Sequence, residues 1–437
     1  MLLHNHPLRL ALANEVHARP PELLEAPLRL SYLAVYSDWS LRDAQWQQVC
    51  ELARLHDVKP PAPDANHFSA DLGRFRVKWE RHAEFARYKF IAQGAGEPMF
   101  EDTALRLVPE GWVRAIPGEI LVATHAVLLG GTSEDPDSMD LREEQRHEAL
   151  SHAYFGGNAL VGAEVAGGAA SAFTDFRIHR DDFSRVLVID RGMTRRQAGR
   201  TIQRLVEIDT YRMLALLAFP VARDLMPVLG RSENELAEIT AALDAASDAD
   251  EQPLLARLTA LEAATERRQA ENSYRFSAAI AYHELVQRRT SELREQRIQG
   301  LQTFQEFIER RLTPAMNTCR TAASRQEALS LRVSRVSQLL STRVDLTHER
   351  QNQALLASMD RRARLQLRLQ ETVEGLSVAA ITYYIIGLIG YGTKSLHALG
   401  LPVSPELVTG LAIPVVALLL ALGVRKTRRL VQGQHEH

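Results

Sequence analysis

Two apolar runs near the end of the chain constrain its fold more than any other feature. The first, Leu376 to Gly392 (LSVAAITYYIIGLIGYG), and the second, Leu407 to Val424 (LVTGLAIPVVALLLALGV), carry no charged residue. Each is about the length of a short bilayer span, which needs roughly 17–25 residues. Arg361, Arg362, Arg364 and Arg368 precede the first run, and Arg425, Lys426, Arg428 and Arg429 follow the second. The connector holds only Lys394, His397 and Glu406. Flanks rich in arginine around a poorly charged connector are the mark of a hairpin with both ends in the cytoplasm and residues 393–406 outside. The competing reading, a pair of buried core helices, does not account for those flanks.

The mean hydropathy of −0.19 conceals this asymmetry. With 46% hydrophobic and 24% charged residues in 437, the remainder is globular rather than disordered. Lys and Arg number 52 against 54 Asp and Glu, so no basic excess points to nucleic acid. Cys50 and Cys319 make neither a disulfide framework nor a cysteine zinc site. Residues 1–22 carry His4, Arg9, Glu15, His17 and Arg19 without an uninterrupted apolar stretch, so no secretory signal is expected.

Residues 1–240 alternate between strand-like and helix-like stretches, predicting a cytoplasmic α+β or α/β domain. Arg74 to Glu80 alternates polar and apolar residues at period two, and Glu119–Val127 and Ser184–Asp190 also read as strands. Residues 194–217 read as a helix, opened by a Thr194/Gln197 capping box and interrupted or ended by Pro220 and Pro227. A polar joint follows, Ala241 to Gln252. Residues 253–375 are then rich in Leu, Arg, Gln, Glu and Ala, the composition of long stalk helices. The last of these is expected to run on into the first span, with only Gly375 as a weak break. The layout closes with two transmembrane helices over 376–424 and a basic cytoplasmic tail over 425–437.

This order, together with Tyr391-Gly392-Thr393-Lys394 at the outer end of the first run, resembles the CorA-like two-span metal-ion transporters. Those proteins carry Tyr-Gly-Met-Asn there, and Gly392 matches the glycine. Over its full length the chain is similar to an uncharacterised bacterial family of the domain-of-unknown-function type, which opens with the HPLR…NEVHARP segment, here His6 to Pro20. The CorA resemblance implies a homo-oligomer, five copies around a pore, with a divalent cation as cargo. It also implies a multi-pass protein of the bacterial inner membrane. The departure is Lys394 in place of the signature Asn. A ring of like charges at a pore mouth repels cations by kcal/mol amounts, so cation selectivity does not carry over.

Stepping back from Lys394 by threes and fours gives Ile389 or Gly390, Ile385 or Ile386, Thr382, Val378 and Glu374, the stripe expected to face a pore. The competing reading has Thr382 bonding its own helix and the stripe serving helix packing. The basic clusters suit anionic lipid, at roughly 1 kcal/mol per residue near a surface. No cofactor is expected, and the metal question is open. His4, His6, His17, His147, His152, His435 and His437 show no HExxH-type spacing, and Arg146-His147-Glu148 reads as a solvated helix face. Lys78 to Phe85 reads as a strand edge with cross-strand ion pairs, and Asn14–Pro20 as an anchor for the N-terminal segment rather than as the competing reading, a ligand-binding string. Gly156 to Gly168 lacks a phosphate-loop pattern. No catalytic arrangement rises above chance, so an enzyme is not expected. Two readings remain: a CorA-like ion channel, and a non-conducting membrane-anchored structural or regulatory protein.

Overall fold

The computed structural model describes residues 5–10, 12–13, 21–63, 65–131, 143–245, 250–398 and 404–432. The chain divides into two compact units, the first Met1–Ala245 with Pro253–Ser337, the second Ala246–Gln252 with Gln338–His437.

The first unit is built on one nine-stranded mixed sheet. Its strands are β1 (Leu28–Tyr36), β2 (His67–Asp71), β3 (Arg76–Arg81), β4 (Phe85–Gln93), β5 (Glu119–Gly130), β6 (Val161–Val165), β7 (Ala170–Thr174), β8 (Ser184–Asp190) and β9 (Gln296–Arg297). The spatial order is β2-β3-β4-β1-β5-β8-β7-β6-β9, with β5 and β8 parallel. Strands at 76–81, 119–130 and 184–190 fall where the sequence reads as strand, the first of them by period-two alternation. β3 is not the edge, because β2 pairs along its outer side.

Alternation gives the sheet two different faces. On one, Leu33, Val35, Val77, Trp79, Tyr88 and Phe90 pack with Val49 and Leu52 of helix α1 (Arg42–Leu55) and with Trp112 of α2 (Glu110–Arg114). On the other, β3 and β4 present Lys78, Glu80, Arg87 and Lys89, all buried. Helix α3 (Glu143–Tyr154) precedes β6, and α4 (Arg195–Leu216) packs on β5 and β8. Thr194 and Gln197 close the expected capping box at its start. Gly199 is required there: a Cβ would stand 1.7 Å from the Glu22 carbonyl oxygen.

Helix α5 (Ala218–Ala245) corrects one expectation. The break expected at Pro220 is present, since α4 ends at Leu216 and Pro220 sits in the first turn of α5, but Pro227 lies inside α5 without ending it. A first-turn proline loses no helical hydrogen bond. Pro227 forfeits one, and burial of Leu225, Leu229, Leu236 and Ile239 outweighs that loss. Helices α6 (Glu251–Glu292), α7 (Phe304–Arg311) and α8 (Thr313–Ala398) follow. Pro314 lies in the first turn of α8. Within the first unit, Arg325 of α8 reaches Glu233 of α5 at 2.6 Å and Arg320 reaches His283 of α6 at 3.0 Å. The architecture is helix-rich α+β.

In the second unit, α8 passes through Gly375, Gly387, Gly390 and Gly392 to Ala398, and α9 covers Pro405–Gln432. The basic segment after Val424 is therefore helical to Gln432. Buried Glu251 is paired with Arg343 and receives the Thr347 hydroxyl at 3.2 Å. Among the described residues three helical stretches are long and apolar enough to cross a membrane: Arg195–Ala245, Phe304–Leu396 and Pro405–Lys426. The apolar window of the first is one-third buried in the fold, that of each of the other two not at all.

Candidate functional site

Glu374, Val378, Thr382, Ile385, Ile386, Ile389, Gly390 and Thr393 are the less exposed residues of α8 beyond Val373. Their three- and four-residue steps put them on one face. Thr382, Ile386, Gly390 and Lys394 line a cleft of about 1040 Å³ together with Glu406, Thr409 and Ile413 of α9. A Cβ at Gly390 would lie 3.7 Å from Thr409 Oγ1, so the glycine allows close approach of the two helices. Thr382, Ile386, Gly390 and Lys394 of the stripe expected to line a pore thus lie along the cleft between α8 and α9, the seam of the two helices. Thr382 donates its hydroxyl to the Val378 carbonyl at 2.7 Å, and Thr393 donates to Ile389 at 2.9 Å. Tyr391, Gly392 and Lys394 are exposed and remain helical, not at a helix exit. Two helical glycines cost about 1 kcal/mol each, too little to end a helix whose backbone groups have no better partners.

A second face of α8 stays bare. Leu355, Met359, Leu369, Val373, Leu376 and Tyr391 are all exposed. At about 100° per residue Leu355, Met359, Leu369 and Val373 lie roughly opposite the seam, but Leu356 and Leu367 on the seam's side are exposed too, so from Gln351 to Val373 the helix is bare nearly all round. Arg361, Arg362, Arg364, Arg368, Arg425 and Lys426 are exposed, and Arg364 pairs with Asp360. Arg428 and Arg429 fall within α9, and their side chains lie outside the described residues, as do His4, Asn14–Pro20, His435 and His437.

The first unit holds two groupings that sequence spacing does not announce. On the charged sheet face, Glu80 pairs with Arg87, and Arg87 Nη1 also meets Glu207 of α4 at 2.7 Å. Arg289 of α6 reaches the same Glu207 at 2.6 Å. Burial raises the Glu80 carboxyl, but Arg87, Lys89 and Lys78 outweigh it and hold it at about 2. Lys89 faces Lys78 across the ladder. Its complete burial, with Arg87 beside it, brings its pKa down to about 7. The cross-strand ion pairing expected for Lys78–Phe85 is present, in an interior strand.

The other grouping is a cleft of about 840 Å³ on the opposite face. Leu105, Leu107, Val108 and Val113 supply apolar wall, and His125 of β5, Arg106, Arg180, Asp181 and Arg185 supply polar groups. His125 Nδ1 lies 3.0 Å from Ser31 Oγ of β1, and its ring stacks on Phe183 with centroids 3.9 Å apart. Burial, aided by Arg185 and opposed by Asp181, lowers its pKa to about 4. Arg185 sits over the Phe100 ring at 5.4 Å and donates to the Tyr154 carbonyl at 2.6 Å. Phe100 itself adopts φ 66°, an uncommon conformation for a bulky residue. Ser31 is fully buried behind the imidazole, so the pair offers no accessible nucleophile. Among the described residues no three His, Cys, Asp or Glu side chains stand together as a metal site.

The chain belongs to the family described as Protein of unknown function (DUF3422), whose profile matches residues 4–431. No curated protein and no solved structure matches it.

Proposed function

For this member of that family, we propose a membrane-anchored protein in which α8 and α9 form a two-span hairpin and the α+β unit stays in the cytoplasm. The observation that carries the reading is the pair of apolar windows, of mean hydropathy 1.6 and 2.6, with no part buried inside the fold. Water does not tolerate two such helices bare, whereas a bilayer requires them. The arginines flanking both windows support cytoplasmic ends and contact with anionic lipid. The many exposed apolar residues of α8 support self-association. Among the available roles, anchoring fits best, because the hydroxyls of Thr382 and Thr393 are satisfied by their own helix and Gly390 serves the seam.

A second reading, a homo-oligomeric ion channel of the CorA-like kind, draws on those same exposed residues, which neighbouring copies would cover around a shared axis. One preparation separates the two. Wild type should stay in alkaline-washed membranes, and Leu411→Arg with Leu418→Arg should be extracted, since each arginine at a span centre costs about 3 kcal/mol. In proteoliposomes the wild type, Lys394→Asn and Glu374→Ala should match empty vesicles for Mg²⁺, K⁺ and Cl⁻. Extraction of the wild type would refute the anchor. Divalent flux that rises in Lys394→Asn would establish the channel.

A further inference from the structure

The cleft around His125 presents hydrogen-bond donors in a fixed arrangement. Ser31 Oγ is fully buried and touches two polar groups among the described residues, the Leu105 backbone N–H at 3.0 Å and His125 Nδ1 at 3.0 Å. The Leu105 N–H can only donate. The serine proton therefore goes to Nδ1, the one acceptor within reach, and the imidazole carries its own proton on Nε2. His125, which lines the cleft, offers an N–H there and has no lone pair free for base catalysis.

The charges around it follow the same sense. Asp181 is engaged by Arg185 at 3.7 Å, and Glu110 is engaged by Arg114. Arg106 and Arg180 have no ion-pair partner among the described residues, against a single unpaired acid, Glu101. Donors thus meet an aliphatic wall beside the Phe183 ring, and of the three arginines and three acids that line the cleft Arg106 and Arg180 are left free to engage a ligand. The volume lies within the usual range for small-molecule sites, about 300–1,000 Å³.

We propose that this cleft binds a small organic anion with a flat apolar body, the chemistry of an aromatic monocarboxylate. The carboxylate takes the His125 N–H and a rim arginine, and the ring lies along the aliphatic wall. The cleft lies wholly within the first unit, so the proposal does not depend on the hairpin being an anchor or a channel.

The test is calorimetric titration of the full-length protein in detergent with benzoate, cinnamate and indole-3-acetate. Benzamide serves as the neutral counterpart of benzoate. At least one carboxylate should bind at or below about 10 mM. Benzamide should bind at least about tenfold more weakly than benzoate, and His125→Phe and Arg180→Ala should each weaken the bound carboxylate by about tenfold, as loss of a charge-assisted bond does. Because His125→Phe alters a buried position, ¹⁵N spectra of the histidine-labelled wild type give an independent reading. His125 should show a protonated Nε2 and an unprotonated Nδ1 near neutral pH, with Nε2 shifting on addition of ligand. Failure of all three carboxylates to bind, equal binding of benzamide, or a proton found on Nδ1 would overturn the proposal.

Discussion

His125 and Ser31 face each other across β1 and β5, and burial there has a measurable consequence in acid. The His125 pKa falls from 6.5 to about 4 on folding. Between those values the unfolded chain binds the proton and the folded chain does not, so acidification favours unfolding. The contribution is intact above pH 6.5 and is lost as pH falls through 4. Glu80, lowered from 4.5 to about 2, extends the same trend to lower pH. Lys89, lowered from 10.5 to about 7, makes stability rise with pH between those two values. All four tryptophans, Trp39, Trp46, Trp79 and Trp112, lie in the first unit, so their fluorescence follows its unfolding. The urea midpoint should drop from pH 6.5 to 4, by at most about 3 kcal/mol of stability from His125. In His125→Phe that part of the slope should vanish. An unchanged slope would mean that folding does not shift the His125 pKa.

At the scale of elements, the seam between α8 and α9 makes a sharp expectation. A cysteine at Gly390 would approach one at Thr409 closely enough to bridge, since a Cβ at 390 lies 3.7 Å from Thr409 Oγ1. Oxidised Gly390→Cys/Thr409→Cys should give an intrachain disulfide on a monomer band, whereas Leu376→Cys, exposed and away from the cleft, should link only separate chains. Dimer bands alone from the first pair would refute the seam. This element was legible in the sequence as far as its stripe: the three- and four-residue steps from Glu374 to Lys394 mark one face whatever covers it. What covers it was not legible, because a pore and a helical neighbour ask for the same periodicity. The strands at 119–130 and 184–190 and the Thr194 cap were readable because their signals are local. The charged sheet face and the His125 cleft were not. Lys78, Arg87, Glu207 and Arg289 meet only through sheet register and helix docking. Ser31, Leu105, His125 and Arg185 are likewise brought together by tertiary structure alone.

For the whole molecule, the proposed hairpin fixes which chain segments meet which solvent. Both native cysteines, Cys50 and Cys319, are buried, so background labelling is low. A membrane-impermeant maleimide on intact cells should label Ser404→Cys and spare Gln432→Cys until the cells are opened. Labelling of Gln432→Cys from outside would reverse the orientation. One feature of α8 reaches beyond orientation. Because the helix is unbroken, its exposed apolar residues from Leu355 to Val373 and its seam from Val378 to Thr393 keep a fixed phase. One residue inserted between them turns the seam by about 100°, whereas seven restore it to within about 20°. In the exposed stretch before the seam, the residue count is therefore constrained together with the apolar positions that self-association would use. Homologous chains should differ there by substitution at the remaining positions, or by whole heptads, and not by single insertions.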